Sequence, residues 1–170
     1  MTELGRLDFQ RGVTGQPTRG QWLVMFNRSA KDGNACVVRT DTYAQHFLVD
    51  FAMYAAFFEH EDEAHFLACY LNSGYINRAV KAFQTTGHFG ERDVTKKILE
   101  FPWPLYSANT ASHRRLVALG RQAARDVQNL LGMQQDLELD PRALGRLRTR
   151  VRNELADLFR DIDSLVEVIS

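Results

Sequence analysis

The feature that most constrains the fold is a long series of aliphatic residues near the C-terminus. The series follows Asp140-Pro141, and an aspartate before a proline at the first helical position is typical of a helix start. The aliphatic side chains then recur at spacings of three and four residues: Leu144, Leu147, Val151, Leu155, Leu158, Ile162 and Leu165. This spacing places them in one heptad-like seam. We therefore expect a helix from Pro141 to about Val168, roughly 40 Å long, which must pack against other elements.

A second helix is predicted directly before this seam. Ser112 can cap its N-terminus, and Gly132 is a suitable residue for its end. Apolar residues recur between them at helical spacing: Leu116, Leu119, Ala123, Val127, Leu130 and Leu131. Two helices joined by a short connection form an antiparallel helical hairpin, which we expect over residues 109–170.

The preceding segment has the pattern of a small sheet. Trp22 to Phe26 is short and apolar, as in a buried strand. Asp32-Gly33 is a turn signal, and Cys36 to Thr40 is predicted to be the returning strand of a hairpin. We also expect a strand from Met53 to Phe58, although the periodicity there does not separate strand from helix.

Short helices are predicted after these strands. Glu61 opens an acidic first turn, and the helix that follows is expected to break at Asn72. A second short helix begins near Ile76 and is expected to end near Gly87. Phe101-Pro102-Trp103-Pro104 is expected to form an extended edge, because proline is excluded from a helix interior.

These patterns together predict an α+β fold: a small mixed sheet with short helices, followed by a long antiparallel helical hairpin. The glycine-rich residues 1–20 are expected to be a flexible lead-in. Residues 21–108 then form the α/β domain, and residues 109–170 form the hairpin.

Composition excludes several classes of protein. The chain of 170 residues has 21 basic and 21 acidic residues, so its net charge is zero and it is not a histone-like polycation. It has no apolar run of about 18 residues, and its N-terminus has no secretion signal, so we expect a cytoplasmic protein without membrane partners. Cys36 and Cys69 lie far apart and are expected to be reduced thiols.

Catalytic patterns are missing from the sequence. It contains no phosphate-binding glycine loop, no dinucleotide-binding glycine motif and no nucleophile elbow. His60 and His65 are five residues apart, whereas a zinc-binding helix needs histidines four apart. We therefore expect no metal, no cofactor and no catalytic activity of the chain by itself.

Positive charge is concentrated in the middle of the chain. Between Arg78 and Arg125 there are nine basic residues and three acids, a surplus of six positive charges. The basic residues are Arg78, Lys81, Arg92, Lys96, Lys97, Arg114, Arg115, Arg121 and Arg125. Such a surplus in a neutral protein favours a local anion-binding face.

The segment from Gln84 to Lys97 is the most informative part of this basic region. Gly87 and Gly90 allow the backbone to approach a surface closely. The polar side chains around them can donate to phosphates or to base edges. The alternative interpretation is a polar surface loop in which Arg92 pairs with Asp93 or Glu91.

Several ordered motifs resemble the C-terminal region of adenine-specific DNA methyltransferases of restriction-modification systems. Glu63–Asn77 (EAHFLACYLNSGYIN) is similar to a helix of that family that ends in Leu-Asn-Ser. Gly87–Lys97 and Glu100–Tyr106 are similar to its Gly-x-x-Gly-x-Arg-Asp-Ile … Leu-Pro-Ile-Pro block, and His113–Gly120 to the helix after that block. A looser likeness exists to the specificity subunits of type I systems.

The resemblance implies a target-recognition domain that reads a short sequence in duplex DNA. Methyl transfer would be performed by a separate catalytic domain, in cis or in trans. On this hypothesis four cations contact phosphates: Arg78, Lys81, Lys96 and Lys97. Four further side chains are candidates for base or groove contacts: Gln84, Thr86, His88 and Arg92.

The competing hypothesis is a protein-interaction module. Arginines crowd the first half of the C-terminal helix, from Arg142 to Arg152, and acids crowd the second half. This gradient suits antiparallel pairing with a partner helix or self-association of the chain. A solvated polar face is the simpler explanation of the same pattern.

Overall fold

The computed structural model describes residues 14–16, 21–28, 32–43, 48–49, 53–84, 86–87, 90–91, 103–132 and 141–170. Within these residues the protein is an α+β fold, as predicted. A three-stranded sheet packs against helices that come from both halves of the chain.

The sheet consists of β1 (Trp22–Asn27), β2 (Ala35–Arg39) and β3 (Met53–Phe58). Its strand order is β2-β1-β3, and both pairings are antiparallel. The three strands agree with the predicted strands to within one residue at each end. A short 3-10 helix, Thr40–Thr42, follows β2.

Alternation along β1 determines which side chains face the helices. Trp22, Val24 and Phe26 contact the main hydrophobic core, as residues two apart on a strand should. Val24 lies between Val37 of β2 and Ala56 of β3, so one row of small apolar side chains crosses the sheet. Beside this row, the Arg39 guanidinium lies 5.6 Å from the centre of the Trp22 ring.

Helix α1 (Glu61–Asn72) is the centre of the fold. Every residue from Ala64 to Leu71 is buried, including His65. A helix that is buried around its whole circumference needs neighbours on every side. The sheet covers one side of α1, and helices from the C-terminal half cover the others.

The remaining elements are four helices and one small strand pair. Helix α2 is Gly74–Lys81, and strands β4 (Thr86–Gly87) and β5 (Gly90–Glu91) follow it as an antiparallel pair. The C-terminal half contains α3 (Ala111–Gly132), α4 (Pro141–Glu154) and α5 (Ala156–Ile169).

A single core joins the two predicted parts of the chain. Val24 of the sheet belongs to the same buried cluster as Leu116 and Val117 of α3 and Ile162 and Val166 of α5. Helices α3 and α5 pack against each other and against α1. The connection between α3 and α4 lies outside the described residues.

Two helix boundaries differ from the prediction. Helix α2 ends at Lys81, and Gly87 lies in β4, so the expected end near Gly87 is wrong. Helix α3 ends at Gly132 as predicted but begins at Ala111, which places Ser112 in the first turn and not at the cap.

The expected single C-terminal helix is interrupted at Leu155. This residue has φ −103° and ψ 15°, outside the helical range. Its N–H still donates to the Val151 carbonyl at 3.0 Å, and the Phe159 N–H donates to the Leu155 carbonyl at 2.9 Å. The interruption is therefore a local distortion of one residue that separates α4 from α5 and keeps the hydrogen bonds on both sides of it.

The described part of the predicted extended edge, Trp103 and Pro104, does not form a strand. Residues 103–107 belong to neither sheet, and residues 101–102 lie outside the described part of the chain. Trp103 and Tyr106 pack against the core without any strand pairing. Among the described residues, no helix combines the length and apolar character that spanning a membrane requires.

Substitution of Gly120 tests the close packing of α3 on α1. A Cβ at this position would lie 2.6 Å from Cys69 Sγ and 3.3 Å from the His65 carbonyl oxygen. We expect Gly120→Ala to lower the free energy of unfolding, because a clash costing about 1–3 kcal/mol outweighs a gain of about 1 kcal/mol in helix propensity. Urea denaturation measures the change.

Gly145→Ala is the matched control. A Cβ there meets no atom within 4 Å, so the substitution should stabilise the protein by up to about 1 kcal/mol. Replacing Cys69 by alanine should relieve part of the Gly120→Ala penalty. Equal effects of the two glycine substitutions would contradict the close approach.

Candidate nucleic-acid interface

Helix α2 and the chain after it carry the described part of the predicted DNA-binding set. Arg78 and Lys81 are exposed on α2, and Gln84 is half-buried just beyond its end. Thr86 lies in β4 and pairs with Glu91 of β5. His88, Arg92, Lys96 and Lys97 lie outside the described residues, as does Asp93. The structure therefore brings only part of the predicted set to one end of α2.

The N-terminus of α2 is held by two oxygen acceptors from different parts of the chain. Ser73 Oγ accepts from the Ile76 N–H at 3.2 Å, as an N-cap residue should. Asp163 of α5 accepts from the Gly74 N–H at 2.7 Å. One turn further on, Arg78 donates to Glu167 at 2.6 Å. These contacts fix α2 alongside α5, with both helices running in the same direction.

Two asparagines connect α1 and α2 to the hairpin between β1 and β2. The Asn72 amide accepts from the Ala35 N–H at 2.8 Å and donates to the Ala35 carbonyl at 2.9 Å. Asn77 Oδ1 accepts from the Gly33 N–H at 2.6 Å. Leu71 and Ser73, on either side of Asn72, are fully buried. The Leu-Asn-Ser motif is thus explained here by packing, capping and the anchoring of the strands.

Six of the nine central cations lie in the described residues, and two of these six form tertiary ion pairs. Arg78 pairs with Glu167, and Arg121 pairs with both Glu61 and Asp62, at 2.7 and 2.5 Å. The hydrogen bond and charge of Glu61 raise the pKa of Arg121 further. The fold therefore compensates part of the predicted surplus of positive charge, and a phosphate would have to compete with Glu167 for Arg78.

Other cations of the same region lie on the surface. Lys81, Arg115 and Arg125 are exposed, and none of them forms an ion pair with a described residue. Arg114 is also exposed, with one guanidinium nitrogen donating to the Ala108 carbonyl at 2.6 Å.

Charge is segregated along α4 and α5. Helix α4 has five arginines and one glutamate, a net charge of +4, and α5 has one arginine and four acids, a net charge of −3. In α4, Arg150 pairs with Glu154, and Arg152 lies 3.9 Å from Asp32. Arg146 and Arg148 are exposed and form no ion pair with the described residues.

A polar cluster joins α1, α3 and the segment before α3. Tyr106 donates to Asp62 at 2.9 Å, and His113 Nδ1 accepts from the Ser107 N–H at 3.0 Å. The His113 ring centre lies 4.7 Å from that of Phe66. Burial lowers the pKa of His113, and burial is also the main cause of the lowered pKa of His65. Both histidines are therefore predominantly neutral in the folded protein near neutral pH.

An open cleft of about 350 Å³ lies beside this cluster. It is lined by His60, Glu61, Asp62, Glu63, Tyr106 and Ala108. Two of its carboxylates already bind Arg121. No group of three potential metal ligands exists within the described ranges. Glu61 and Asp62 anchor α3 through their ion pairs with Arg121.

Sequence reasoning missed the residues that position α2. Each of these residues forms a hydrogen bond with a partner far away in the chain. The partner is 37 residues away for Asn72, 44 for Asn77 and 89 for Asp163. By its position in the sequence, Asp163 belongs to the acids of the C-terminal helix, for which a solvated polar face is the simpler explanation. Neither residue type nor periodicity identifies such partners, because the contacts exist only after α5 has docked.

Comparison of the chain with family models, with curated proteins and with solved structures finds no match. The motif resemblance therefore stands without an assigned family. The function has to be argued from the residues and their arrangement.

Substitution of Asp163 tests its role as a remote cap of α2. We expect Asp163→Ala to lower the free energy of unfolding by about 0.5–2 kcal/mol, the usual cost of losing a helix cap. Asp161→Ala removes the same charge from an exposed position on the same helix and should change stability by less than about 0.5 kcal/mol. Chemical denaturation of both variants measures the two changes in the free energy of unfolding. An equal loss of stability in the two variants would show that Asp163 does not act as a cap of α2.

The buried histidines predict a loss of stability in mild acid. Because burial lowers the pKa of His113 and His65, the unfolded chain binds protons that the folded protein excludes. Their contribution to stability is complete above the ordinary histidine pKa of about 6.5 and is lost as the pH falls below it. Unfolding free energies measured between about pH 7.5 and about pH 5.5 should show this decrease.

His113→Asn isolates one of the two groups. Asparagine keeps an acceptor near the position of Nδ1 but does not titrate, so the dependence of stability on pH should become weaker. Gln128→Asn, at an exposed position of the same helix, is the control and should leave the pH dependence as it is, because neither side chain titrates. An unchanged pH slope in His113→Asn would show that His113 does not contribute.

Proposed function

We propose that the chain is a module for sequence-specific recognition of duplex DNA. It would serve a DNA adenine methyltransferase or restriction-modification system as the specificity component, without chemistry of its own. Methyl transfer would then belong to a catalytic domain in cis or in trans. A cytoplasmic location is part of this proposal, since the DNA partner is there.

The observation that carries the proposal is the distribution of charge in a neutral chain. Several acids of α1 and α5 are engaged in tertiary contacts: Asp163 caps α2, Glu167 binds Arg78, and Glu61 and Asp62 bind Arg121. The unpaired cations among the described residues are exposed: Lys81, Arg115, Arg125, Arg146 and Arg148. Exposed cations without a carboxylate partner attract the phosphate backbone even though the whole chain has no net charge.

The order of the motifs gives independent support. The resemblance to the recognition regions of adenine methyltransferases covers the chain from α1 into α3. In the structure its Leu71-Asn72-Ser73 part anchors the start of α2. This anchoring fixes the direction of α2 and therefore the placement of Lys81 at its C-terminal end.

Salt-dependent binding tests the proposal. With about four to six phosphates neutralised, the logarithm of the binding constant should fall with the logarithm of salt concentration with a slope of about −4 to −5. Fluorescence anisotropy of the full chain with synthetic duplexes, some of random sequence and some selected for binding, measures the slope. A chain that binds no duplex at low salt, with or without its methyltransferase partner, would refute the proposal.

Two substitutions separate phosphate contacts from base contacts. Lys96→Ala or Lys81→Ala should weaken binding to all sequences alike. Arg92→Ala should relax selectivity at one position of the site and cost about 1–3 kcal/mol on the selected duplex. If Arg92→Ala leaves both affinity and selectivity as they were, Arg92 is not a reading residue.

The second candidate function is helical protein interaction, and the opposite charges of α4 and α5 favour it. It would pair α4 of one molecule with the acidic face of another helix. Sedimentation of the full chain distinguishes the two functions: a dimer that binds no duplex supports the second. Truncation before α4 is unsuitable for this purpose, because Ile162 and Val166 of α5 belong to the core.

A further inference from the structure

Helix α3 has one exposed face with an unusual composition. The exposed positions recur at spacings of four and three residues: Ala111, Arg115, Ala118, Gln122, Arg125 and Asn129. This recurrence defines one stripe of the helix, here called the α3 stripe. It extends over roughly 27 Å of the helix axis. The stripe contains only arginine, amide and alanine side chains.

Among the described residues, no acidic side chain forms an ion pair with the α3 stripe. Asp126 is the one acid of α3, and it is half-buried at the margin of the stripe. Glu61 and Asp62 of α1 contact α3, and both are bonded to Arg121 on the other margin. A merely solvated helix face usually carries charges of both signs, as exposed Asp157, Arg160 and Asp161 do on α5.

The other side of α3 holds the stripe rigidly. Leu116 and Val117 are buried in the core, and Gly120 lies directly against Cys69 of α1. The ion pairs of Arg121 add a polar anchor beside this contact. A face presented by a fixed helix can position its side chains closely enough for recognition.

We propose that the α3 stripe docks into the major groove of duplex DNA. This inference rests on the proposed function and adds to it a reading helix outside the predicted segment 84–97. The major groove, about 12 Å wide, admits an α-helix. Arginine pairs in bidentate fashion with guanine, glutamine and asparagine pair with adenine, and alanine contacts the thymine methyl group. The α3 stripe supplies all these groups: Arg115, Arg125, Gln122, Asn129 and Ala118.

The same chemistry disfavours duplex RNA as the ligand. The major groove of A-form RNA is deep and narrow, so a helix cannot enter it. An RNA duplex of the same sequence should therefore compete weakly with the DNA duplex. Equal competition would overturn groove docking by α3.

The test compares substitutions on the α3 stripe with matched substitutions elsewhere in the full chain. The probe is a synthetic DNA duplex obtained by selection from a random pool. Arg115→Ala and Arg125→Ala should each weaken binding by about 5- to 150-fold. Arg160→Ala removes an exposed arginine from α5 and should change binding less than about twofold. Circular dichroism and thermal unfolding verify that the exposed substitutions keep the fold.

Glutamine substitutions on α3 distinguish base reading from general attraction. Gln122→Ala should relax the base preference at one position in a repeated selection. Gln128→Ala is the control, because Gln128 is exposed on the same helix but lies about 120° away from Gln122 around its axis. A uniform loss of affinity in Gln122→Ala without a change in base preference would overturn docking in the groove.

The outcomes also separate this inference from the proposed function. If the wild-type chain binds duplexes and the Arg115, Arg125 and Gln122 variants behave as their controls, the α3 inference fails and the proposed function stands. If the wild-type chain binds no duplex even with its methyltransferase partner, the proposed function fails and the α3 inference fails with it.

Discussion

Burial of α1 on every side is the constraint on which the rest of the structure depends. Eight consecutive residues, Ala64 to Leu71, lose their contact with water. A three-stranded sheet is too small to cover a whole helix, so the other sides of α1 need partners from distant parts of the chain. Helices α3 and α5 supply them, and the body and the C-terminal helices consequently share one core.

Packing around α1 also determines where polar groups must find partners. The chain leaves α1 at Ser73 and immediately begins α2, whose first N–H groups would otherwise be unsatisfied. Ser73 and Asp163 accept hydrogen bonds from them, and Asn72 replaces a missing strand partner at Ala35. The direction of α2, and therefore the placement of Lys81, follows from these few directional bonds.

The charge of the protein has two separate uses. Carboxylates of α1 and α5 stabilise tertiary contacts at Arg121, Arg78 and the N-terminus of α2. By contrast, four arginines are exposed and form no ion pair with a described residue: Arg115 and Arg125 on α3, and Arg146 and Arg148 on α4. The net charge of zero is therefore not distributed evenly. Several acids are engaged in tertiary contacts, whereas several cations are exposed without such a contact among the described residues. This division supports an anionic partner more strongly than the total charge suggests.

Local patterns in the sequence determined most of the elements: three strands, the acidic start of α1, the end of α3 at Gly132 and the helical C-terminus. Alternation, helical spacing and turn residues are properties of neighbouring residues, so they can be recognised without the fold. The sequence also indicated the basic middle of the chain and the candidate DNA-binding residues, of which Arg78, Lys81 and Gln84 are placed by the structure at one end of α2.

The tertiary structure alone decided what depends on distant partners. It interrupted the C-terminal helix at Leu155, ended α2 at Lys81 and left Trp103 outside the sheet. It paired Arg78 with a carboxylate 89 residues away, and it exposed one acid-free face of α3. The physical reason is that burial and ion pairing depend on which surfaces come into contact when the helices and strands pack together. Periodicity along the sequence shows only which face of each helix or strand is apolar.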